Sequence, residues 1–196
     1  LARGDELASL LIERVTETID GLLRGYLGAC GEYLDMIELP GDDYAGTENL
    51  IISPRMFRSH FKPALERLVG TVKEFRSDLK VMFHSDGVIE SLIPDLIDVG
   101  IDVIHPLEPL PAMDLTKVKA THGDRISFIG SIDIVNAMPG SVQDVEDEVR
   151  RRIGQLAPGG GYVLAPANHL QSDVAPENVI ALFEAARRHG SYPIGV

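Results

Sequence analysis

The sequence predicts an α/β protein built on a parallel sheet, and three observations carry that prediction. Five short apolar runs alternate with segments of helical periodicity, no hairpin-type turn links any two of the runs, and the runs are continuous rather than alternating apolar and polar. Continuous apolar strands suit a sheet buried by helices, and strict strand-helix alternation calls for crossover connections. Periodicity alone leaves two forms open, a doubly wound sheet and a sheet rolled into a barrel.

Residues 5 to 30 repeat Leu7, Leu11, Val15, Ile19, Leu22, Leu23, Tyr26 and Leu27 at a spacing near 3.6, the mark of a long amphipathic helix. Cys30 falls on the same stripe and is expected to be a small buried hydrophobe; Gly28 and Gly31 are expected to end the helix. Tyr33 to Leu39 reads as the first strand, followed by the loop Pro40-Gly41-Asp42-Asp43-Tyr44. Ser53-Pro54 is a helix start lined downstream by Phe57, Phe61, Leu65, Leu68, Val72 and Phe75, with a kink expected at Pro63.

Val81 to Phe83 is the second strand, and it opens into His84-Ser85-Asp86-Gly87 before a helix through Ile89, Leu92, Ile93, Leu96 and Ile97 that Gly100 terminates. Ile101 to His105 is the third strand. The loop Pro106 to Pro111 and a short helix over Asp114 to Ala120 lead to the fourth, Arg125 to Gly130. Ser141-Val142-Gln143-Asp144 resembles a capping box for a helix through Val145, Val149 and Ile153. Pro158 to Gly161 breaks the chain, Tyr162 to Ala165 is the fifth strand, and a last helix runs from Pro176 to His189-Gly190.

Composition narrows the function classes. The 196 residues are read as one domain, residues 1–196, and a net charge of −12 with scattered basic residues argues against a nucleic-acid partner. No apolar run approaches the roughly 18 residues of a membrane span and no signal peptide opens the chain, so a cytoplasmic protein without membrane partners is expected. No G-x-G-x-x-G opens a helix after a strand, and Gly159-Gly160-Gly161 precedes a strand, the wrong side to cradle a phosphate.

The strand-end loops carry the functional signal, because ligands of parallel α/β proteins bind at the C-terminal ends of strands. Residues 40–49, 84–90, 105–114, 130–140 and 165–177 together hold ten Asp or Glu and no Lys or Arg, with His84, His105 and His169 among them. Such a face favours a cation, a metal ion or proton transfer, and repels a polyanion unless positive charge comes from elsewhere. A merely solvated acidic rim is the competing reading.

Several of these residues occur in blocks that resemble the uroporphyrinogen decarboxylase superfamily, which also contains cobalamin-linked methyltransferases. The blocks are Gly41-Asp42-Asp43-Tyr44 with Ile52-Ser53-Pro54-Arg55-Met56-Phe57; His84-Ser85-Asp86-Gly87 with Leu92-Ile93-Pro94-Asp95-Leu96; Phe128 to Asp133; and Gly159 to Tyr162 through Ala165-Pro166 to Pro176-Glu177-Asn178-Val179. The resemblance implies a TIM-type (β/α)8 barrel of which this chain is the last five units; Leu1 in place of an initiating Met agrees with an earlier segment. A five-strand piece of a barrel is expected to self-associate or form a homodimer, since two sheet edges stay unpaired.

The same resemblance implies a site. Asp42, Asp43, His84, Asp86, Asp133 and His169 are the expected catalytic residues, and Tyr44, His105, Glu108, Asn168 and Gln171 are expected to bind substrate. The methyltransferases hold zinc through a His-x-Cys pair and a later Cys; His84, Asp86 and His169 stand nearest those positions, with a hard carboxylate in place of a soft thiolate. Relatives place His-Asn in the last loop where this chain has Asn168-His169, which leaves open which of the two faces inward. The favoured expectation is zinc-assisted methyl transfer with a methylated substrate and a corrinoid protein as partners. The alternatives are metal-free decarboxylation of a tetrapyrrole, in which a carboxylate stabilises the protonated pyrrole, and a non-catalytic binding protein.

Overall fold

A computed structural model describes residues 6–194. The first helix, α1, runs from Glu6 to Cys30, so the expected start at Asp5 lies outside the described residues. A single 3-10 turn at Gly31–Tyr33 then leads to β1, Met36–Leu39, shorter than the expected strand. Ser53 caps α2, Pro54–Met56, by accepting a hydrogen bond from the Met56 amide. The helix does not simply kink: a π-helical turn over Phe57–Phe61 absorbs the disruption before α3, Lys62–Phe75, in which Pro63 sits in the first turn where its missing N–H costs nothing.

The rest follows the predicted order. β2 is Lys80–His84; a 3-10 turn at Glu90–Leu92 precedes α4, Ile93–Val99, which Gly100 closes in the left-handed conformation at φ 99°. β3 is Val103–His105, and α5, Leu115–His122, is capped by the Asp114 carboxylate. β4 is Ser127–Ile132. α6, Val142–Leu156, opens on a reciprocal Ser141–Asp144 capping box; β5 is Tyr162–Pro166 and α7 is Pro176–His189.

The five strands form one parallel sheet in the order β1-β2-β3-β4-β5. A doubly wound sheet reverses strand order at a switch point, and none occurs here. With right-handed crossovers, a sheet that always advances the same way puts its helices on one face, as in a barrel wall. Closure into eight strands is not seen among the described residues; the sheet is an open arc.

Register separates the two faces. Leu39, Phe83, Ile104 and Phe128 lie in one row across four strands, fully buried beneath the helices. His84 pairs with His105 on the opposite face, where Met36, Met82 and Ile129 are half-buried and Val163 is 57% exposed. The core falls into two clusters, one under β1 to β4 and one between α6, α7 and the end of β4, and Tyr162 packs against both.

Two expectations change here. The stripe of α1 is mostly exposed: Leu7, Leu11, Val15, Leu22 and Tyr26 face outward, Leu23 and Leu27 are buried in the core and half-buried Ile19 packs against it. Polar contacts to α3 add to this packing: Asp20 accepts from Thr71 at 2.6 Å and from Arg67 at 3.0 Å. Cys30 is half-buried rather than buried, with Sγ against the Tyr26 carbonyl.

Candidate functional site

The C-terminal ends of the strands are stitched into one surface by their loops. The Asp43 carboxylate accepts from the Asp86 amide at 2.9 Å, and Ser85 Oγ accepts from the Tyr44 amide, joining the loops after β1 and β2. Gly87 donates its amide to Glu108, which joins the loops after β2 and β3. Gly87 has φ +87° and its Cα lies against the Ala45 backbone, where a Cβ would stand at 2.6 Å, so only glycine fits. Ser131, at φ 69°, donates its hydroxyl to the Leu107 carbonyl and its amide to that of Pro106, tying the loop after β3 to β4.

Within this surface His84 and His105 meet through their Nδ1 atoms at 2.9 Å. One nitrogen must carry a proton and the other must not, so the pair holds one shared hydrogen. Burial holds His105 below the ordinary histidine pKa, and the neighbouring His84 adds to that shift. Beside the pair, Asp86 Oδ1 stands 3.6 Å from His84 Nε2 and is a buried oxygen with no hydrogen-bond partner. Glu108 is pushed above the usual carboxylate range by burial; the Gly87 amide opposes this, and the charges of Asp86 and Asp43 add to it.

The loop after β5 closes over this group. Asn168 donates Nδ2 to Asp86 Oδ2 at 2.8 Å, although 82 residues and two intervening strands separate the two loops. Strands spaced about 4.8 Å apart put β2 and β5 roughly 14 Å apart in a flat sheet, so the contact reports a curled one. Asn168 is thus the inward residue of the Asn168-His169 pair, and His169 is exposed with its ring turned to the side-chain amide oxygen of Asn168. A cavity of about 540 Å³ is lined by Glu38, Gly41, His84, His105, Pro166, Asn168, His169 and Leu170. Gly41 admits it close to β2, since a Cβ there would meet the His84 carbonyl at 2.5 Å.

The expected residues therefore divide. His84, His105, Asp86, Asn168 and His169 gather at one place, with Asp43 and Glu108 at its border. Tyr44 does not line the cavity: it is buried among Phe57, Phe61 and Phe83, and burial with the Asp42 charge raises its phenol. Asp42 is exposed, with Oδ2 accepting from that phenol at 3.3 Å. Asp133 turns its carboxylate back on its own loop, accepting from the Val135 and Asn136 amides and the Asn136 side chain. Burial raises its pKa, but those bonds outweigh it and hold the group low. Gln171 is exposed and reaches only the His169 carbonyl.

The expected ligand set also changes. Two groups place three donor atoms within 4.8 Å of one another, Asp43-His84-Asp86 and Glu38-His84-His105, and His169 belongs to neither. Its ring is held away by Asn168. Glu38 was overlooked by sequence reasoning, although an acid inside a predicted apolar strand is a usable signal: it must face the side that helices leave uncovered.

A family model described as Uroporphyrinogen decarboxylase (URO-D) matches residues 1–189. No curated protein matches the chain. Among solved structures, a methyltransferase from Methanosarcina mazei superposes with a TM-score of 0.63 at 23% identity, over 80% of this chain and 43% of that protein. The chain thus spans less than half the length of that structure, and at this identity the likeness speaks for the fold alone.

Proposed function

The chain belongs to the uroporphyrinogen decarboxylase family, and from that premise we propose that it supplies the active mouth of a carboxy-lyase acting on a tetrapyrrole bearing acetate arms. The family match over residues 1–189 carries this reading and favours it over the methyl transfer expected from the sequence. The chemistry of the site supports it. Losing CO2 from an arm of an electron-rich pyrrole requires protonating the ring, so that the electrons of the breaking C–C bond have somewhere to go; the methylene carbon left behind then takes a proton, and the ring gives up the one it received, leaving a methyl group on the restored pyrrole. The buried, unpartnered Asp86 Oδ1 is suited to stabilise the cationic ring, and the His84–His105 pair, which shares one hydrogen, is suited to pass the proton.

Among the described residues, the strand-end loops that form the acidic mouth contain no Lys or Arg to pair with the substrate's carboxylates. That task falls to strands that would complete the barrel beyond the open edges of β1 and β5, and closure is part of the proposal. A cytoplasmic setting is proposed with it; no described helix is long and apolar enough to cross a membrane.

A second reading, metal-assisted methyl transfer with a corrinoid partner, is favoured by one observation. Asp43, His84 and Asp86 offer two carboxylate oxygens and an imidazole within 4.8 Å, a donor set that zinc accepts, and the bare Asp86 oxygen is one of them. Bound there, zinc would act as a Lewis acid on the substrate. Incubating the complete enzyme with uroporphyrinogen, with and without chelator, separates the readings: metal-independent CO2 release supports decarboxylation, and failure to turn over with near-stoichiometric zinc on these three residues supports the second.

A further inference from the structure

Asn168 makes three hydrogen bonds that together leave its amide a single orientation. Its side chain lies 2.8 Å from Asp86 Oδ2, 2.7 Å from the His169 backbone nitrogen and 2.8 Å from His169 Nδ1. A carboxylate accepts and does not donate, so the end facing Asp86 must be the NH2 group. The other end is then the amide oxygen, which takes the His169 backbone N–H. An amide oxygen carries no hydrogen, so the short contact to His169 Nδ1 exists only if that nitrogen carries the proton.

We infer that Asn168 is a positioning residue that locks neutral His169 in its Nδ1–H form, leaving the Nε2 lone pair as the basic atom presented at the cavity mouth. A free imidazole prefers the opposite form, with the proton on Nε2, so the loop reverses the intrinsic preference. When Nε2 takes a proton from substrate, the ring becomes an imidazolium whose Nδ1–H already points at the amide oxygen, and no ring flip is required. Asp86 anchors the amide from behind, which couples the loop after β5 to the one after β2. His169 lies outside both groups of clustered donor atoms, so its free Nε2 is assigned as a base at the rim. The role in turnover rests on the proposed carboxy-lyase reading; the tautomer does not.

The test is long-range 15N–1H correlation on the full chain labelled with 15N, with His169 assigned by His169→Gln. The expected spectrum has a pyrrole-type Nδ1 and a pyridine-type Nε2 for this ring above its titration. Asn168→Ala is expected to shift the ring to the Nε2–H form and to lower kcat by about tenfold to a hundredfold with KM little changed. Asn168→Asp keeps an acceptor and is expected to keep the Nδ1–H form, while placing a second carboxylate against Asp86. A wild-type ring in the Nε2–H form, or one that Asn168→Ala leaves unchanged in a folded protein, overturns the inference. Should the tautomer be as stated and uroporphyrinogen not be turned over, the inference stands and the functional reading falls.

Discussion

Replacing Asp86 by Asn separates chemistry from stability at one atom. Its Oδ1 is buried without a partner, its Oδ2 accepts from Asn168, and its side chain is 28% exposed. A full negative charge about 4 Å from a developing positive charge is worth about 2–4 kcal/mol at an effective dielectric of roughly 40 to 20, the range suited to a partly exposed group. Loss of that charge therefore predicts a fall in kcat/KM of about 30-fold to about 1,000-fold. Stability should move the other way. The new amide oxygen still accepts from Asn168, while the repulsion felt by Glu108 and the cost of an unpaired buried carboxylate oxygen are relieved. The expected outcome is an unchanged Tm or a rise of about 2–4 °C, corresponding to a gain of up to about 1 kcal/mol. Thermal melts and steady-state turnover on the same preparations check both. A clear drop in Tm with turnover unchanged would mean that Asp86 merely caps its loop, and the reasoning would be refuted.

Asp43→Ala removes the acceptor of the Asp86 amide and should cost on the order of 1 kcal/mol in chemical denaturation, whereas Asp43→Asn keeps an oxygen there and should cost less; equal losses would argue against that bond. Glu108 has a raised folded pKa, so its contribution to stability is full below its unfolded value of 4.5 and is lost as pH rises through the folded value. Glu108→Gln should flatten that part of the stability–pH curve, and a curve identical to wild type would contradict the burial of Glu108. The exposed apolar side chains on α1 and on α7, with Ile180 and Phe183 on the latter, together with bare Val163 on β5, should make the isolated chain self-associate and bind a hydrophobic dye. A stable monomer in sedimentation at high concentration, with no dye binding, would count against open edges.

Much of the fold was legible because it depends on local signals. The capping box at Ser141, the Ser53 cap and the left-handed Gly100 each follow from residues within one helical turn of their effect. The helix α1 was legible from its stripe, but what covers that stripe was not, because periodicity announces an apolar face without naming its partner. Tyr44 sits beside two carboxylates in sequence, yet its ring packs against Phe83, and only the folded β1–β2 pairing brings them together. The His84–His105 contact depends on a register that no single strand reveals. The direction of Asn168 depends on the curl of the sheet. The turn at Asp133 was readable: an Asp three residues before Asn136 at a strand exit is a turn-forming pattern, and its carboxylate accepts from the Asn136 amide and side chain.

The most direct test of a metal-free carboxy-lyase is turnover after the metal has been removed. The complete enzyme, dialysed against chelator and shown by elemental analysis to hold no zinc, should release CO2 from uroporphyrinogen at the rate of the untreated protein, and added zinc should not raise it. Activity that vanishes with the metal and returns with zinc, in step with occupancy lost in Asp43→Ala and His84→Ala, would contradict the account.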